Sequence, residues 1–194
     1  MEFSELLEIR QSVRQYSQRA VERVLLDKLI EAVRLAPSAS NAQPWKLIVV
    51  DEPELRTQVA QATFSKTVTF NRFALESPVI AVLVIEKSGF ISQAGAILKK
   101  RQFSLIDIGI AAAHFCLQAA ELGLGTCILG WFDEKRIKRL LRIPARRRIG
   151  LLVTLGYAAE GYPLREKSRK DASIMSGFNS YGEKNEKWGR CWTL

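Results

Sequence analysis

An α+β fold is predicted by three observations on this chain of 194 residues. Helical and strand-like stretches follow one another without the regular alternation that a doubly wound parallel sheet requires. The apolar runs Leu47–Val50 (in a strand from Lys46), Val79–Ile85 and Ile149–Leu155 have the length and the flanking breakers of strands. One long alanine-rich stretch, Ser104–Gly123, is apolar around most of its circumference and must be covered on several sides.

Each element follows from its local pattern. Leu6, Leu7 and Ile9 in polar surroundings predict an opening helix that ends at an arginine cluster. Leu25, Leu29, Ala32, Val33 and Ala36 fall on one helical face, and Pro37 ends that helix because the residue before a proline is pushed out of the helical region. Pro37 to Pro44 is then a loop leading into the first strand. Pro53 opens the next helix, continued by Leu55, Val59 and Ala62. Residues 64–75 show no period. The run Val79–Ile85 reads as a strand buried on both faces. Residues 86–103 carry Gly89, Gly95 and three basic residues at 99–101, the composition of a mobile excursion or lid. After the long helix, two glycines lead to the short strand Cys127–Leu129, and Gly130 leaves space for a flat group to approach the backbone. Residues 135–148 interleave eight basic side chains with Ile137, Leu140, Leu141 and Ile143, which predicts an amphipathic basic helix. Beyond the last strand lie the basic cluster 165–170 and a C-terminal extension, 176–194. The whole reads as one domain, 1–194.

Composition narrows the chemistry. The cysteines, Cys116, Cys127 and Cys191, show no CxxC pairing, and His114 is the sole histidine, so disulfide frameworks, zinc sites and histidine triads find little material. His114, alone on an apolar helix, is expected to serve packing, and so is Cys127, with no basic residue beside it in sequence. No secretory signal and no apolar run long enough to cross a bilayer is read, so a soluble cytoplasmic protein is expected. The net charge of +9 favours anionic partners. Its concentration in 135–148 raises an alternative function, a basic module that binds nucleic acid or an acidic partner; a solvated helix face is the simpler expectation, because no aromatic residues interleave. The glycines at 123–130 are no dinucleotide fingerprint, since their spacing is not GxGxxG and the order is helix, glycines, strand.

Two signatures near the start carry the functional reading. Arg10-Gln11-Ser12-Val13-Arg14 sets two guanidiniums around a hydroxyl, a donor set suited to phosphate. Ala36-Pro37-Ser38-Ala39-Ser40-Asn41-Ala42-Gln43-Pro44-Trp45 puts small and amide residues between prolines, where donors could meet a flat polar ring. With the Asp107–Gly130 helix and strand and the basic cluster Lys167–Lys170, these signatures resemble, in type and order, the FMN-dependent nitroreductase family. The resemblance runs from about Ile9 to Met175.

That resemblance implies a nitroreductase-like α+β fold, a central, mostly antiparallel sheet flanked by helices, in an interlocked homodimer with two FMN sites at the subunit interface. It implies that Arg10, Ser12 and Arg14 hold the FMN phosphate, joined by Lys167 and Arg169. Pro37, Ser38, Ala39, Asn41 and Gln43 would reach the ring of the other subunit's site, Asn71 would bond the pyrimidine end, and the backbone of Ile128, Leu129 and Gly130 would lie along the reactive edge. The implied activity is a ping-pong transfer from NADH or NADPH to a small-molecule acceptor such as a nitroaromatic or quinone. FMN would carry the chemistry, so no catalytic side chain, metal, nucleic acid or membrane is expected. Acceptor choice would rest on 64–73 and 86–103.

Overall fold

The computed structural model describes residues 1–86 and 102–182. Two compact units are distinguished, Met1–Leu164 and Arg165–Leu194. The first contains α1 (Phe3–Ile9), α2 (Arg23–Arg34), β1 (Trp45–Val50), α3 (Pro53–Gln61), β2 (Val79–Ile85), α4 (Phe103–Glu121), β3 (Gly125–Leu129), α5 (Glu134–Leu140) and β4 (Arg148–Gly156), with 3-10 turns at Ala39–Asn41 and Arg72–Leu75. The second contains the short helix α6 (Ala172–Met175). The predicted excursion at 86–103 falls largely outside the described residues, as does most of the extension at 176–194.

The sheet has the order β1-β2-β4-β3 with every neighbouring pair antiparallel, which makes the α+β expectation concrete. Alternation along β2 builds both layers of the core. Val79, Ala81 and Leu83 join Leu29, Val33, Ala112 and Phe115 of α2 and α4 on one face. Ile80, Val82 and Val84 join Val59, Ile137 and Leu152 on the face covered by α3 and α5. A strand enclosed on both faces must be apolar at every position, hence the unbroken run in the sequence. In β4 the register slips by one residue at Gly150, which lies under α4; a Cβ there would come 2.9 Å from Ile108 Cγ2.

Two expectations are corrected. The basic segment 135–148 is not one helix: α5 stops at Leu140, Arg142 takes a positive φ of 54°, and Arg148 already belongs to β4. Part of its charge is met locally, because Glu134 receives Lys138 at 2.9 Å and Arg148 at 3.1 Å, while Arg136 donates to Gln61 Oε1 at 3.0 Å. Burial opposes ionisation of Glu134, but these partners hold its carboxyl below the ordinary range. Second, the 19-residue α4 is long and apolar enough, by length and composition, to cross a membrane. Its inner face, including Ile108, Ala112 and Phe115, is occupied by the core.

The segment before α2 is fastened to the end of β4. Arg19 lies over the Tyr157 ring at 3.9 Å and pairs with Glu22 at 2.6 Å, and the Tyr157 hydroxyl donates to Glu22 Oε2 at 2.7 Å. The Tyr157 bond, then the Arg19 bond, depress the Glu22 carboxyl from 4.5 to about 2. A depressed carboxyl stabilises the fold above its unfolded value, and that contribution is lost as pH falls through the folded one. NMR titration of Glu22 should therefore show a midpoint near 2. Tyr157→Phe should move it upward, and the fastening should weaken as pH falls from 4.5 towards 2.

Candidate functional site

The first signature is a strap laid against the outer edge of the sheet. Ser12 bridges Thr126 in parallel, and the Val13 amide donates to the Thr126 carbonyl at 2.9 Å. The strap then meets the exit of β4, where the Ser17 amide donates to Tyr157 O at 3.0 Å and the Ala159 amide to Gln15 O at 3.0 Å. The Tyr16 hydroxyl is buried, 2.9 Å from the Val13 carbonyl and 2.7 Å from Thr154 Oγ1. Burial pushes this phenol far up, so it stays protonated and serves as a clamp. From outside, Gln11 donates to Pro163 O at 3.0 Å and the Arg14 amide to the Tyr162 hydroxyl at 3.2 Å.

Glycines make this close approach possible. A Cβ on Gly125 would sit 2.6 Å from Val13 Cγ2, and one on Gly156 would sit 2.5 Å from Pro78 Cδ and 3.1 Å from Tyr16 Cδ1. Neither spacing can be accommodated without displacing the strap or its support. A small cavity of about 170 Å³ lies beside it, lined by Arg10, Gln11 and Val13 together with Gly123, Gly125 and Thr126.

Arg10, Ser12 and Arg14 gather around one point on β3, the Cys127 thiol. Burial raises the thiol pKa, and Arg14, Ser12 and Arg10 oppose that rise in decreasing measure. The sequence showed no basic partner for Cys127; the fold supplies two, from a segment distant in the chain. Burial still prevails and keeps the sulfur a neutral packing group, so the outcome expected for Cys127 stands for a different reason. The same convergence of two guanidiniums and a hydroxyl is a donor set that fits a phosphate.

Beyond Thr126 the outer edge of β3 has no strand partner among the described residues. Ile128 is 41% exposed, Leu129 is buried, and Gly130 is exposed with open space where a side chain would stand. Strap and open edge are thus consecutive along one strand. Asn71 is buried nearby, and its amide nitrogen donates to Thr63 O at 3.2 Å and Trp131 O at 3.1 Å. Both Nδ2 protons are used in tying the 63–71 loop to the residue after Gly130, so only the carbonyl oxygen could serve a ligand directly.

The second signature is a tightly self-bonded loop. The Ser38 hydroxyl accepts the Gln43 amide at 2.8 Å, and Gln43 Nε2 bonds Asn41 O and Oδ1 at 3.2 and 3.1 Å. Ser40, Asn41 and Gln43 all have positive φ, of 52°, 52° and 44°. Three left-handed non-glycine residues in four are strained, and such strain persists where surroundings over-determine the backbone. Asp107 of α4 is part of that determination. Its carboxylate is 2% exposed, Oδ1 accepts the Ala39 amide at 3.0 Å, and Oδ2 is buried with no partner among the described residues. Asp107, which the sequence marks only as the start of the Asp107–Gly130 helix and strand, has this role through a contact with a segment 68 residues away. Pro37 and Asn41 are exposed, and Ser38 and Ala39 are half-buried.

Lys167 and Arg169 belong to the second unit; Lys167 is half-buried, and the exposed Arg169 donates to Ser168 O at 2.7 Å. His114 Nδ1 donates to Ile110 O at 2.9 Å, the packing role expected of it. Among the described residues no three His, Cys, Asp or Glu side chains gather where they could hold a metal ion.

Residues 7–157 match the model of the nitroreductase family. The chain belongs to the nitroreductase family. Among its relatives, this nitroreductase-family chain is 30% identical over 185 residues to a protein of Archaeoglobus fulgidus named as a putative NADH dehydrogenase/NAD(P)H nitroreductase, covering 92% of this chain and 94% of the relative. It is 23% identical over 195 residues to an iodotyrosine deiodinase of Haliscomenobacter hydrossis, covering 90% and 87%. Among solved structures it is similar to an FMN-dependent nitroreductase of Clostridium difficile, with a TM-score of 0.71, 28% identity and coverage of 91% and 98%.

The strap's dependence on missing side chains is testable. Gly125→Ala should destabilise the fold by about 1–3 kcal/mol in denaturant titration, the range for overpacking a core contact. Arg10 and Arg14 should be displaced with the strap.

Proposed function

We propose that this protein is an FMN-dependent oxidoreductase that takes hydride from NADH or NADPH and passes electrons to a small oxidised acceptor in a ping-pong cycle. The observation that carries the reading is the convergence of Arg10, Ser12 and Arg14 beside an open β3 edge, within a chain of the nitroreductase family. When bound, FMN supplies the two-electron chemistry, and the protein's own residues supply position and electrostatics.

In this reading Arg10 and Arg14 neutralise the phosphate and Ser12 adds a neutral donor, an arrangement suited to a group with close to two negative charges. The Ile128–Gly130 backbone offers unpaired groups to the ring, and Gly130 keeps that approach open. Asp107 holds Ala39, and through it the Pro37–Gln43 loop, in a shape fixed before any ligand arrives. No protein acid or base is required for hydride transfer, which agrees with His114 and Cys127 being committed to packing.

The loop is proposed to serve the site of a second protomer, in a cytoplasmic homodimer. Support comes from α4, whose outer side leaves Ile106 56% exposed next to the exposed small residues Gly109 and Ala113. No side chain lies where a Cβ on Gly109 would project, so a second helix could approach closely there. The acceptor is proposed at the level of its chemistry, a nitroaromatic, quinone or similar electrophile. The alternative of a basic module is disfavoured by the break-up of 135–148 into a short helix, a turn at Arg142 and the start of β4, which leaves no continuous basic helix face.

Purified protein should be yellow, and the released cofactor should be FMN by chromatography. Arg10→Ala should weaken FMN binding about tenfold or more in fluorescence titration, as loss of a charge-assisted bond predicts. A colourless protein that takes up no FMN overturns the reading. Independently, Gly109→Arg should convert the dimer to monomer in sedimentation velocity while the far-ultraviolet dichroism stays that of a folded chain.

A further inference from the structure

The largest concentration of positive charge is not at the strap. A cavity of about 450 Å³ opens between the end of β2, the first turn of α4 and the start of β4, lined by Glu86, Gln102, Ser104, Arg146, Arg147 and Arg148, with Ile85, Leu105, Ile149 and Gly150 as its apolar wall. Its side chains are unequally committed. Arg147 is spent on Glu86 at 2.5 Å, which neutralises the carboxylate facing the cavity. Arg148 is shared with Glu134 at 3.1 Å. Arg146 is exposed and enters no ion pair or hydrogen bond among the described residues. The first turn of the 19-residue α4 also faces this space, with no side-chain cap from Gln102. Three guanidiniums against two carboxylates, Glu86 and Glu134, with a serine hydroxyl and an uncapped helix start make a site for a compact polyanion.

Position restricts which anion. Leu129 pairs with Leu152, and Arg148 pairs with Ile85 farther along the same strand system. The cavity therefore lies roughly 13 Å along β4 from the open end of β3, at about 3.3 Å per residue. The strap arginines lie towards the opposite end of β3, at Thr126. A cofactor phosphate held by the strap leaves this second cluster unused, while a dinucleotide whose nicotinamide sits at Ile128–Gly130 can extend its adenosine end towards it.

We infer that this cavity binds the 2′-phosphate of NADPH, with Arg146 as the principal ligand and Ser104 and Arg148 assisting, and that it makes NADPH the preferred donor. This rests on the redox reading for the choice of dinucleotide, but not for the choice of phosphate. A monoester carries nearly two charges, whereas each pyrophosphate phosphorus carries about one, and an uncommitted guanidinium discriminates most strongly for the former. NADH offers only a hydroxyl at that position.

Calorimetry on the protein as isolated, with 2′,5′-ADP against 5′-AMP, tests the site without any turnover. The 2′-phosphorylated nucleotide should bind about tenfold tighter or more, and Arg146→Ala should erase that preference. In steady-state kinetics the same substitution should lower the ratio of kcat/KM for NADPH over NADH about tenfold. Equal affinities for the two nucleotides, a preference that survives Arg146→Ala, or inorganic phosphate competing as well as 2′,5′-ADP overturns the inference. The two readings fail separately. A yellow protein that uses both donors equally keeps the redox function and loses this pocket; a protein that takes up no FMN but prefers 2′,5′-ADP does the reverse.

Discussion

The contact on which the rest of this structure depends is the seam between the Ser12–Ser17 strap and the exits of β3 and β4. Its bonds are few: one amide to Thr126, two to the segment after β4, and the buried Tyr16 hydroxyl against Val13 and Thr154. Each is worth little alone, about 1 kcal/mol net. What makes the seam specific is that Gly125 and Gly156 leave room for it and that Tyr16 has no other place for its hydroxyl. Because the strap carries Arg10, Ser12 and Arg14, seating it brings these three residues to β3.

A division of labour follows along the sheet. Interior strands β2 and β4 are enclosed by helices and supply rigidity, with Val79–Ile85 divided alternately between two apolar layers. The edge strand β3 is half closed by the strap and half open. Polar groups stand beside that open half and in the strained loop after α2, both anchored to buried material: Asn71 to Thr63 and Trp131, Ala39 to Asp107. Buried polar side chains thus order these loops, and among the described residues Asp107 Oδ2 is the carboxylate oxygen left buried without a partner.

Much of this was legible in the amino-acid order. The doubly buried β2 announced itself by an unbroken apolar run, Pro37 and Pro53 marked helix boundaries, and the signature strings in their order pointed to the nitroreductase family. What was not legible depended on contacts between distant segments. The basic stretch after Glu134 kept helical spacing on paper, yet Glu134 draws Lys138 and Arg148 together and β4 claims the end of the stretch, so tertiary pairing overrides periodicity. Cys127 appeared isolated from cations because Arg10 and Arg14 come from the other end of the domain. Asp107 looked like one polar residue among several, since the amide it receives belongs to a loop far away in sequence.

The seam also dictates an order of assembly. Tyr16 closes on a threonine 138 residues away, and Gln11 on a carbonyl 152 residues away. Contacts of such long range form slowly, because a large loop must close before they repay its entropy. On the ribosome the strap emerges well over a hundred residues before its docking edge. The nascent chain therefore waits with Arg10 and Arg14 unplaced until β4 has been released, so the strap is seated only after nearly the whole first unit has been made.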